Sequence, residues 1–324
     1  MEEGRLTDRG QTRKRSEILE VKSKMPLRIA IPDMISPSYF PAIAAVELGF
    51  FKQEGLDATI ELLFPVTKMY EALRDSQLDY TGGAAHAALY AFKNWQGVKL
   101  LGALSQHMYW FLVMRRELGI ARGDLKACGG KRIGAAPGPV DGLMQMFRDI
   151  GMDPERDVQI GPVPGTLQGG VSFGVAAAKV MEEGKIDGFW ANGMGAEVAL
   201  LNGTGSMVLD ARRGDGPASA RGYTFAAFAT TQARLDAHPD EARAATRAIV
   251  NAQRALREDP SQATQAASRL FPAYETSLIA EQIRRDAPFY DPAMSEATIA
   301  SLNQFGRNMG LLEGPAEYKN IVAL

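Results

Sequence analysis

The segment from Ala44 to Ala58 constrains the fold more than any other part of the sequence. It has the pattern of a short helix, a glycine stop at Gly49, a small amphipathic turn, a second glycine at Gly55, and a strand. An apolar run at residues 27–31, typical of a strand, precedes it. A strand, a helix and a returning strand form one βαβ unit, and sheets built from such units bind small molecules beyond the carboxyl ends of their strands. The segment therefore predicts an α/β protein with a ligand site after the first strand.

Short apolar runs alternate with helical patterns along most of the chain, which indicates an α/β fold with mostly parallel sheets. Helices are predicted at residues 69–75, 85–96, 140–150 and 169–183. After about Thr231 the pattern becomes helical, and Pro239 opens a long predicted helix because proline suits the first helical turn. The predicted strands cover residues 27–31, 58–63, 78–81, 99–104, 111–114, 132–135, 158–162, 188–190, 207–210 and 225–229.

Two lobes are predicted from the chain length and from two candidate crossing strands. A chain of 324 residues is long enough for about two domains. If the strands at residues 110–114 and 223–229 both cross between lobes, the first lobe comprises residues 25–109 plus 230–324. The second lobe is then residues 110–229, hinge strands included, and residues 1–24 are a disordered tail. Because paired crossing strands form a hinge, we expect a ligand in the cleft between the lobes.

Composition excludes several classes of function. The formal net charge is -2 and no basic stripe occurs, so no nucleic-acid partner is expected. No apolar stretch approaches about 20 residues, so the protein is not expected to insert into a membrane. Residues 1–24 lack the apolar run of a signal peptide, which predicts a cytoplasmic product as encoded, or a periplasmic one if translation starts elsewhere. The single cysteine, Cys128, is predicted to be a semi-exposed loop thiol.

Several sequence blocks resemble one family of solute-binding proteins that serve ABC transporters. This family binds nitrate, taurine, alkanesulfonates and precursors of the thiamine pyrimidine. The resemblance extends over roughly residues 26–310. Its blocks are the Gly-Phe-Phe and Glu-Gly-Leu motifs within residues 44–56, the Leu-Asp and Gly-Gly pairs within 78–83, the Asp-Leu and Gly-Lys-Arg-Ile-Gly motifs within 124–134, and the Gly-Lys-Ile-Asp-Gly-Phe motif within 184–189.

The resemblance implies a type-II periplasmic-binding-protein-like fold of two lobes that close over a ligand. It further implies a substrate-binding component of an ABC-type transporter, with a small-molecule ligand and a transporter permease as partners. We expect a monomer without cofactor, metal site or catalytic residues.

The loop after the first predicted strand supplies three candidate ligand-binding residues. Asp33 could accept a hydrogen bond from a ligand amine, or it could orient a backbone turn. Ser36 could contact the ligand or cap the following helix. Tyr39 is an aromatic candidate for stacking on the ligand.

Two further segments carry candidates, one in the first lobe and one at the boundary between the lobes. Gly82 and Gly83 leave backbone N–H groups accessible if they open a helix at the cleft, with close helix–strand packing as the alternative. His86 follows them, and a structural hydrogen bond is the alternative to a ligand contact. Gln106 and Trp110 lie at the proposed crossing, where they could orient and stack on a flat ligand or pack within the hinge.

The second lobe supplies four candidates. Gly138 lies in a loop that the family uses to bind ligand through backbone N–H groups. Here Pro137 and Pro139 flank it and remove donors, which argues against an anion clamp. Thr166 offers a hydroxyl at a strand end. Trp190 and Asn192 follow another strand, and the Asn192 amide can both donate and accept.

No arginine or lysine is aimed into the predicted cleft, so we expect a neutral or weakly cationic, planar ligand. The alternative is a cytosolic ligand sensor or a cytosolic enzyme of the same fold, resembling either the sulfinate-cleaving or the thiamine-pyrimidine-forming relatives. The first of these enzyme types uses a cysteine in the loop after the first strand, and this loop has none. The second uses a lysine near the position of Gly82 and Gly83, for Schiff-base chemistry with pyridoxal phosphate. The chain therefore lacks a residue that each of these two enzyme types needs.

Overall fold

The computed structural model describes residues 25–165 and 172–323 of the chain. Ten strands occur in this part: β1 (Leu27–Ile31), β2 (Ala58–Leu62), β3 (Tyr80–Ala84), β4 (Val98–Ser105), β5 (Phe111–Arg115), β6 (Arg132–Ala135), β7 (Gln159–Gly161), β8 (Gly188–Ala191), β9 (Gly205–Asp210) and β10 (Ala226–Thr231). Each overlaps one of the predicted strands.

Helices connect the strands and form the C-terminal part of the chain. None of the described helices is long and apolar enough to cross a membrane. They are α1 (Phe40–Glu47), α2 (Phe50–Gln53), α3 (Val66–Arg74), α4 (Ala88–Ala91), α5 (Val140–Asp149), α6 (Phe173–Glu182), α7 (Gly193–Leu201), α8 (Gln232–Ala237), α9 (Pro239–Glu258), α10 (Gln262–Ala267), α11 (Ala273–Asp286), α12 (Glu296–Asn308) and α13 (Tyr318–Ile321).

The strands form two five-stranded sheets, and we name the first and second lobes after them. The first sheet has the order β2-β1-β3-β10-β4 and the second has the order β7-β6-β8-β5-β9. In each sheet one strand, β10 or β5, is antiparallel to both of its neighbours, and the other strands run in one direction. The predicted α/β class is confirmed, with mixed sheets in which one strand of five is reversed.

The sequence of the long helix α9 explains where the helix starts and which face of it is buried. Pro239 occupies its first turn, and Asp240 and Glu241 follow, so the N-terminus carries the acidic side chains that a helix dipole favours. Its small apolar side chains, among them Ala245 and Ala248, are fully buried. This alanine-rich face lets the helix pack closely on α1 and β4 of the first lobe.

Three local predictions are wrong. The helix predicted at residues 85–96 is broken into a 3₁₀ turn, the short helix α4 and a second turn. Gly82 and Gly83 do not open a helix, because they lie inside β3. Cys128 is fully buried at the end of a 3₁₀ turn, where burial raises the pKa of its thiol to about 11.

The chain passes between the sheets in two irregular segments, residues 106–110 and 211–225. The strands predicted to cross instead belong to single sheets: β5 to the second and β10 to the first. The two segments lie side by side, and the Met108 N–H donates to the Arg221 carbonyl at 3.1 Å. The lobe boundaries predicted at residues 109–110 and 229–230 stay predictions.

A buried arginine anchors the second crossing segment. The Arg212 guanidinium pairs with Asp286 at 2.9 Å and donates to the hydroxyls of Ser38 and Ser105 at 3.1 and 2.9 Å. Its side chain is completely buried, and it lies over the Phe289 ring at 4.5 Å from the centroid. The arginine therefore ties the chain leaving β9 to three parts of the first lobe.

We expect Asp286→Ala to lower the free energy of unfolding by about 3–5 kcal/mol, because it leaves the Arg212 charge buried without its main partner. Chemical denaturation measures this loss. Asp240→Ala is the control, since its ion pair with Arg243 is exposed and should matter little. Equal losses in the two variants would contradict a structural role for the buried pair.

Candidate functional site

A cavity lies between the two lobes, with about 380 Å³ of space free of protein atoms when the open solvent at its mouth is included. It sits beyond the carboxyl ends of β1, β2, β6 and β8, as expected for a ligand site in an α/β sheet. Its lining is largely aromatic and proline-rich. The lining residues are Pro32, Asp33, Tyr39, Phe64, Val66, Trp110, Ala136, Pro137, Pro139, Phe173, Trp190, Ala191 and Asn192.

Asp33 is the acidic group of the cavity, and it contacts both lobes. Its Oδ2 accepts hydrogen bonds from the Asn192 side-chain amide at 2.5 Å, the Ser172 hydroxyl at 3.2 Å and the Phe173 backbone N–H at 3.2 Å. Its Oδ1 accepts from the Ile35 backbone N–H at 3.0 Å. Asp33 belongs to the first lobe and the donors to Oδ2 belong to the second, so one carboxyl group bridges the cleft.

Burial changes the protonation of Asp33. Desolvation raises the pKa of its carboxyl group to about 6, although hydrogen bonds from Ile35, Asn192, Ser172 and Phe173 act in the opposite direction. Helix α6 begins at Phe173, next to the carboxyl group, and a helix N-terminus favours negative charge. Because its pKa is about 6, the carboxyl group can gain or lose its proton near that pH when its surroundings change, for example when a cation binds.

Aromatic rings form the walls of the cavity. The Trp110 ring, from the first crossing segment, and the Trp190 ring, from the second lobe, lie 6.2 Å apart at a tilt of 58°. Across the cleft, the Phe64 and Phe173 rings are stacked at 5.8 Å. The Tyr39 hydroxyl is 2.6 Å from the Tyr109 hydroxyl.

The loop at residues 137–139 presents carbonyl groups rather than N–H groups. The Gly138 carbonyl accepts from His86 Nε2 at 3.0 Å, and the Pro139 carbonyl accepts from Trp190 Nε1 at 2.9 Å. Gly138 has a left-handed φ of 89°, and a Cβ there would lie 2.6 Å from the Val66 side chain. Only glycine fits this position without a shift, and the loop offers no donor cluster for an anion.

His86 joins the lobes without lining the cavity. Its imidazole is fully buried between the Thr224 hydroxyl, 3.0 Å from Nδ1, and the Gly138 carbonyl. Asp141 of the second lobe lies 3.5 Å from Nε2 and accepts a hydrogen bond from the Tyr90 hydroxyl at 2.8 Å. These contacts and those of Asp33 cross the cleft, so the described arrangement is a closed one.

The structure brings five of the predicted site residues together. Asp33, Tyr39, Trp110, Trp190 and Asn192 all line the cavity. Two more, His86 and Gly138, lie in the interlobe contact next to it. Contact of any of them with a ligand stays a prediction.

The other predicted residues lie elsewhere. Gly82 and Gly83 are packed inside β3, where a Cβ would approach Leu104 to 2.9 Å or Met69 to 2.5 Å; this fits the packing alternative. Gln106 points away from the cavity, since its amide donates to the carbonyls of Asp291 and Ala293. Ser36 is buried, does not line the cavity and does not cap α1. Thr166 lies outside the described residues.

Sequence reasoning missed Phe64, Phe173 and Ser172. Phe64 follows strand β2, so the strand-end rule that pointed to Asp33 also applies to it. Ser172 is the N-cap of α6, and its hydroxyl accepts from the Val175 N–H at 3.4 Å. A serine before an apolar helical run is an N-cap signal, but nothing in the sequence links it to Asp33, 139 positions away.

The chain belongs to the NMT1/THI5-like family, whose model matches residues 36–263. This result confirms the predicted family. A comparison with curated protein sequences gave no match.

Solved structures share the fold at low identity. The alkanesulfonate-binding protein SsuA from Xanthomonas axonopodis pv. citri, bound to MOPS, gives a TM-score of 0.69 at 14% identity, covering 92% of this chain and 98% of that one. The periplasmic nitrate-binding protein NrtA from Synechocystis PCC 6803 gives 0.67 at 14%, covering 92% and 86%. A DszB mutant in complex with biphenyl-2-sulfinic acid gives 0.60 at 17%, covering 91% and 96%. The predicted periplasmic-binding-protein fold is thereby confirmed.

We expect the raised pKa of Asp33 to make the free energy of unfolding depend on pH. The folded state holds the proton up to about pH 6, whereas the unfolded carboxyl releases it near 3.8, so the free energy of unfolding falls as pH rises between these values. The loss amounts to about 3 kcal/mol at most. Denaturation at pH 4 to 7 should show it in the wild type, and Asp33→Asn should remove it.

Asp187→Asn is a control whose effect on the free energy of unfolding depends on pH in the opposite direction. A hydrogen bond from Arg132 holds the pKa of the Asp187 carboxyl below its usual value, so this variant costs more stability at pH 7 than at low pH. An identical pH slope in the wild type and Asp33→Asn would exclude a buried, proton-binding Asp33.

Proposed function

We propose that this protein is the substrate-binding component of an ABC-type transporter and that it binds a small, planar organic molecule, neutral or weakly cationic, between its lobes. The family, the shared fold and the closed interlobe cavity support the binding role. The character of the ligand follows from how the polar groups around the cavity are already used.

The observation that carries the proposal is that most of the hydrogen-bond donors around the cavity are already used. The Asn192 amide, the Ser172 hydroxyl and the Phe173 N–H all donate to Asp33. Trp190 Nε1 donates to the Pro139 carbonyl. Among the described residues that line the cavity, none is a lysine or an arginine. An anionic ligand would therefore meet a carboxylate and no free cation.

The acceptors and ring faces favour a different ligand. Asp33 Oδ1 has one donor among the described residues, which leaves lone-pair capacity for a ligand N–H. Trp110, Trp190 and the Phe64–Phe173 pair offer apolar faces to a flat ring. A protonated or N–H-bearing heteroaromatic ring satisfies both features, and closure around it follows if it binds the closed state more tightly.

Calorimetric titration with heteroaromatic amines, neutral pyrimidines, aromatic acids and simple sulfonates tests this proposal. We expect the amines and pyrimidines to bind and the sulfonates and acids to fail. Asp33→Asn should weaken binding of a cationic amine at least tenfold, since a buried charge pair is lost. Tight binding of a simple anion, with none of the heterocycles, would overturn the proposed ligand class.

The pH dependence separates a cationic ligand from a neutral one. A cation favours the ionised form of Asp33, so its affinity should rise between pH 5 and 7 as the carboxyl group, with a pKa of about 6, loses its proton. A neutral analogue of the same shape should lack this rise, and so should the amine with Asp33→Asn. A cation whose affinity is the same at pH 5 and pH 7 would show that Asp33 does not contact it.

A further inference from the structure

A second cavity lies outside the interlobe cavity, against both crossing segments and helix α12, with about 570 Å³ of space free of protein atoms when open solvent is included. We call it the hinge groove and define it by His107 of the first crossing, Arg221 and Phe225 of the second, and Ala297, Thr298 and Ser301 of α12. None of these residues lines the interlobe cavity. The hinge groove is therefore a separate candidate site.

Arg221 gives the hinge groove a cation without a protein partner. Elsewhere in the described part of the chain many arginines pair with a carboxylate, as Arg115 and Arg132 do with Asp187. Over residues 25–165 and 172–323, no hydrogen bond or ion pair is found for the Arg221 guanidinium. Its five N–H donors are free for an acceptor, and a guanidinium fork matches the two oxygens of an oxyanion.

His107 places a neutral imidazole in the same groove. The backbone of His107 has a φ of 64°, and positive φ values are uncommon for residues other than glycine. Residues in such conformations cluster at functional sites. Burial, and after it the charges of Arg221 and Arg212, lower the pKa of His107 to about 4, so the ring is uncharged at neutral pH. Within the described residues neither ring nitrogen has a hydrogen-bond partner, so one N–H is free to donate.

Helix α12 adds hydroxyl groups opposite these two side chains. The Ser301 hydroxyl lies close to the second crossing segment, because a Cβ on Gly222 would be 3.2 Å from its oxygen. The Thr298 hydroxyl is 2.9 Å from that of Ser295. Phe225 and Ala297 supply apolar surface. A guanidinium, an imidazole N–H and the Ser301 hydroxyl around one groove are the donor set of an oxyanion site.

We propose that the hinge groove binds a small oxyanion, a phosphate or a carboxylate, through Arg221, His107 and the Ser301 hydroxyl. The bound ion would touch both crossing segments, which are already joined by the Met108–Arg221 backbone hydrogen bond. The proposal is independent of the ligand in the interlobe cavity, since it rests on different residues.

Isothermal titration calorimetry with inorganic phosphate and with acetate, at low ionic strength, tests this proposal and distinguishes the two kinds of oxyanion. We expect saturable binding of at least one ion by the wild-type protein. Arg221→Gln should weaken it at least tenfold. Arg116→Gln is the matched control, because it removes an exposed arginine beyond the far end of β5 from the crossing segments and should leave the affinity unchanged.

A second pair of variants tests the groove without touching Arg221. Ala297→Glu places a carboxylate at the groove and should weaken binding at least tenfold, whereas the isosteric Ala297→Gln should not. No saturable binding of either ion, or equal affinities in the wild type and Arg221→Gln, would overturn the proposal. Binding that Arg221→Gln leaves intact and Trp190→Ala abolishes would place the ion in the interlobe cavity and overturn it too.

Discussion

The buried carboxyl group of Asp33 is the interaction on which the closed cleft depends. Burying a carboxylate costs several kcal/mol unless donors surround it. Here the donors come from the second lobe and from the N-terminus of α6, and they replace part of the water that the carboxyl group loses when the lobes come together. The same donors cannot serve an anionic ligand at the same time. One residue thus links closure of the cleft to the charge of the ligand that we propose for it.

Contacts near the hinge are buried, whereas contacts across the cleft break when the lobes separate. The Arg212–Asp286 pair is buried, and the Arg212 guanidinium lies over the Phe289 ring. The contacts of Asp33 and His86 lie on facing surfaces that water can reach when the lobes separate. A buried ion pair near the hinge, together with hydrogen bonds across the cleft that can break and re-form, fits hinge closure, in which a few segments absorb the motion.

The strand ends could be predicted from sequence because glycine and proline mark them and because the strands are short apolar runs. That rule placed Asp33, Tyr39, Trp110, Trp190 and Asn192 at one cavity without any contact information. Pairings between distant positions could not be predicted in this way: Arg212 finds Asp286, and Asp33 finds Ser172, through tertiary packing alone. Gly82 and Gly83, predicted to open a helix, lie inside β3, because glycine carries no side chain that marks a strand and the close packing of Leu104 and Met69 on them depends on the tertiary fold.

The first crossing segment carries residues of both candidate sites. His107 lies in the hinge groove, and Trp110, three positions on, lines the interlobe cavity. If residues 106–110 change their path on opening, both side chains move, and ligands at the two sites then act on the same conformational equilibrium. Coupling of this kind is reciprocal: whatever factor an oxyanion adds to the affinity of the cleft ligand, the cleft ligand adds to the affinity of the oxyanion. If the groove keeps the same shape in the open and closed states, the oxyanion has no differential affinity and the factor is one.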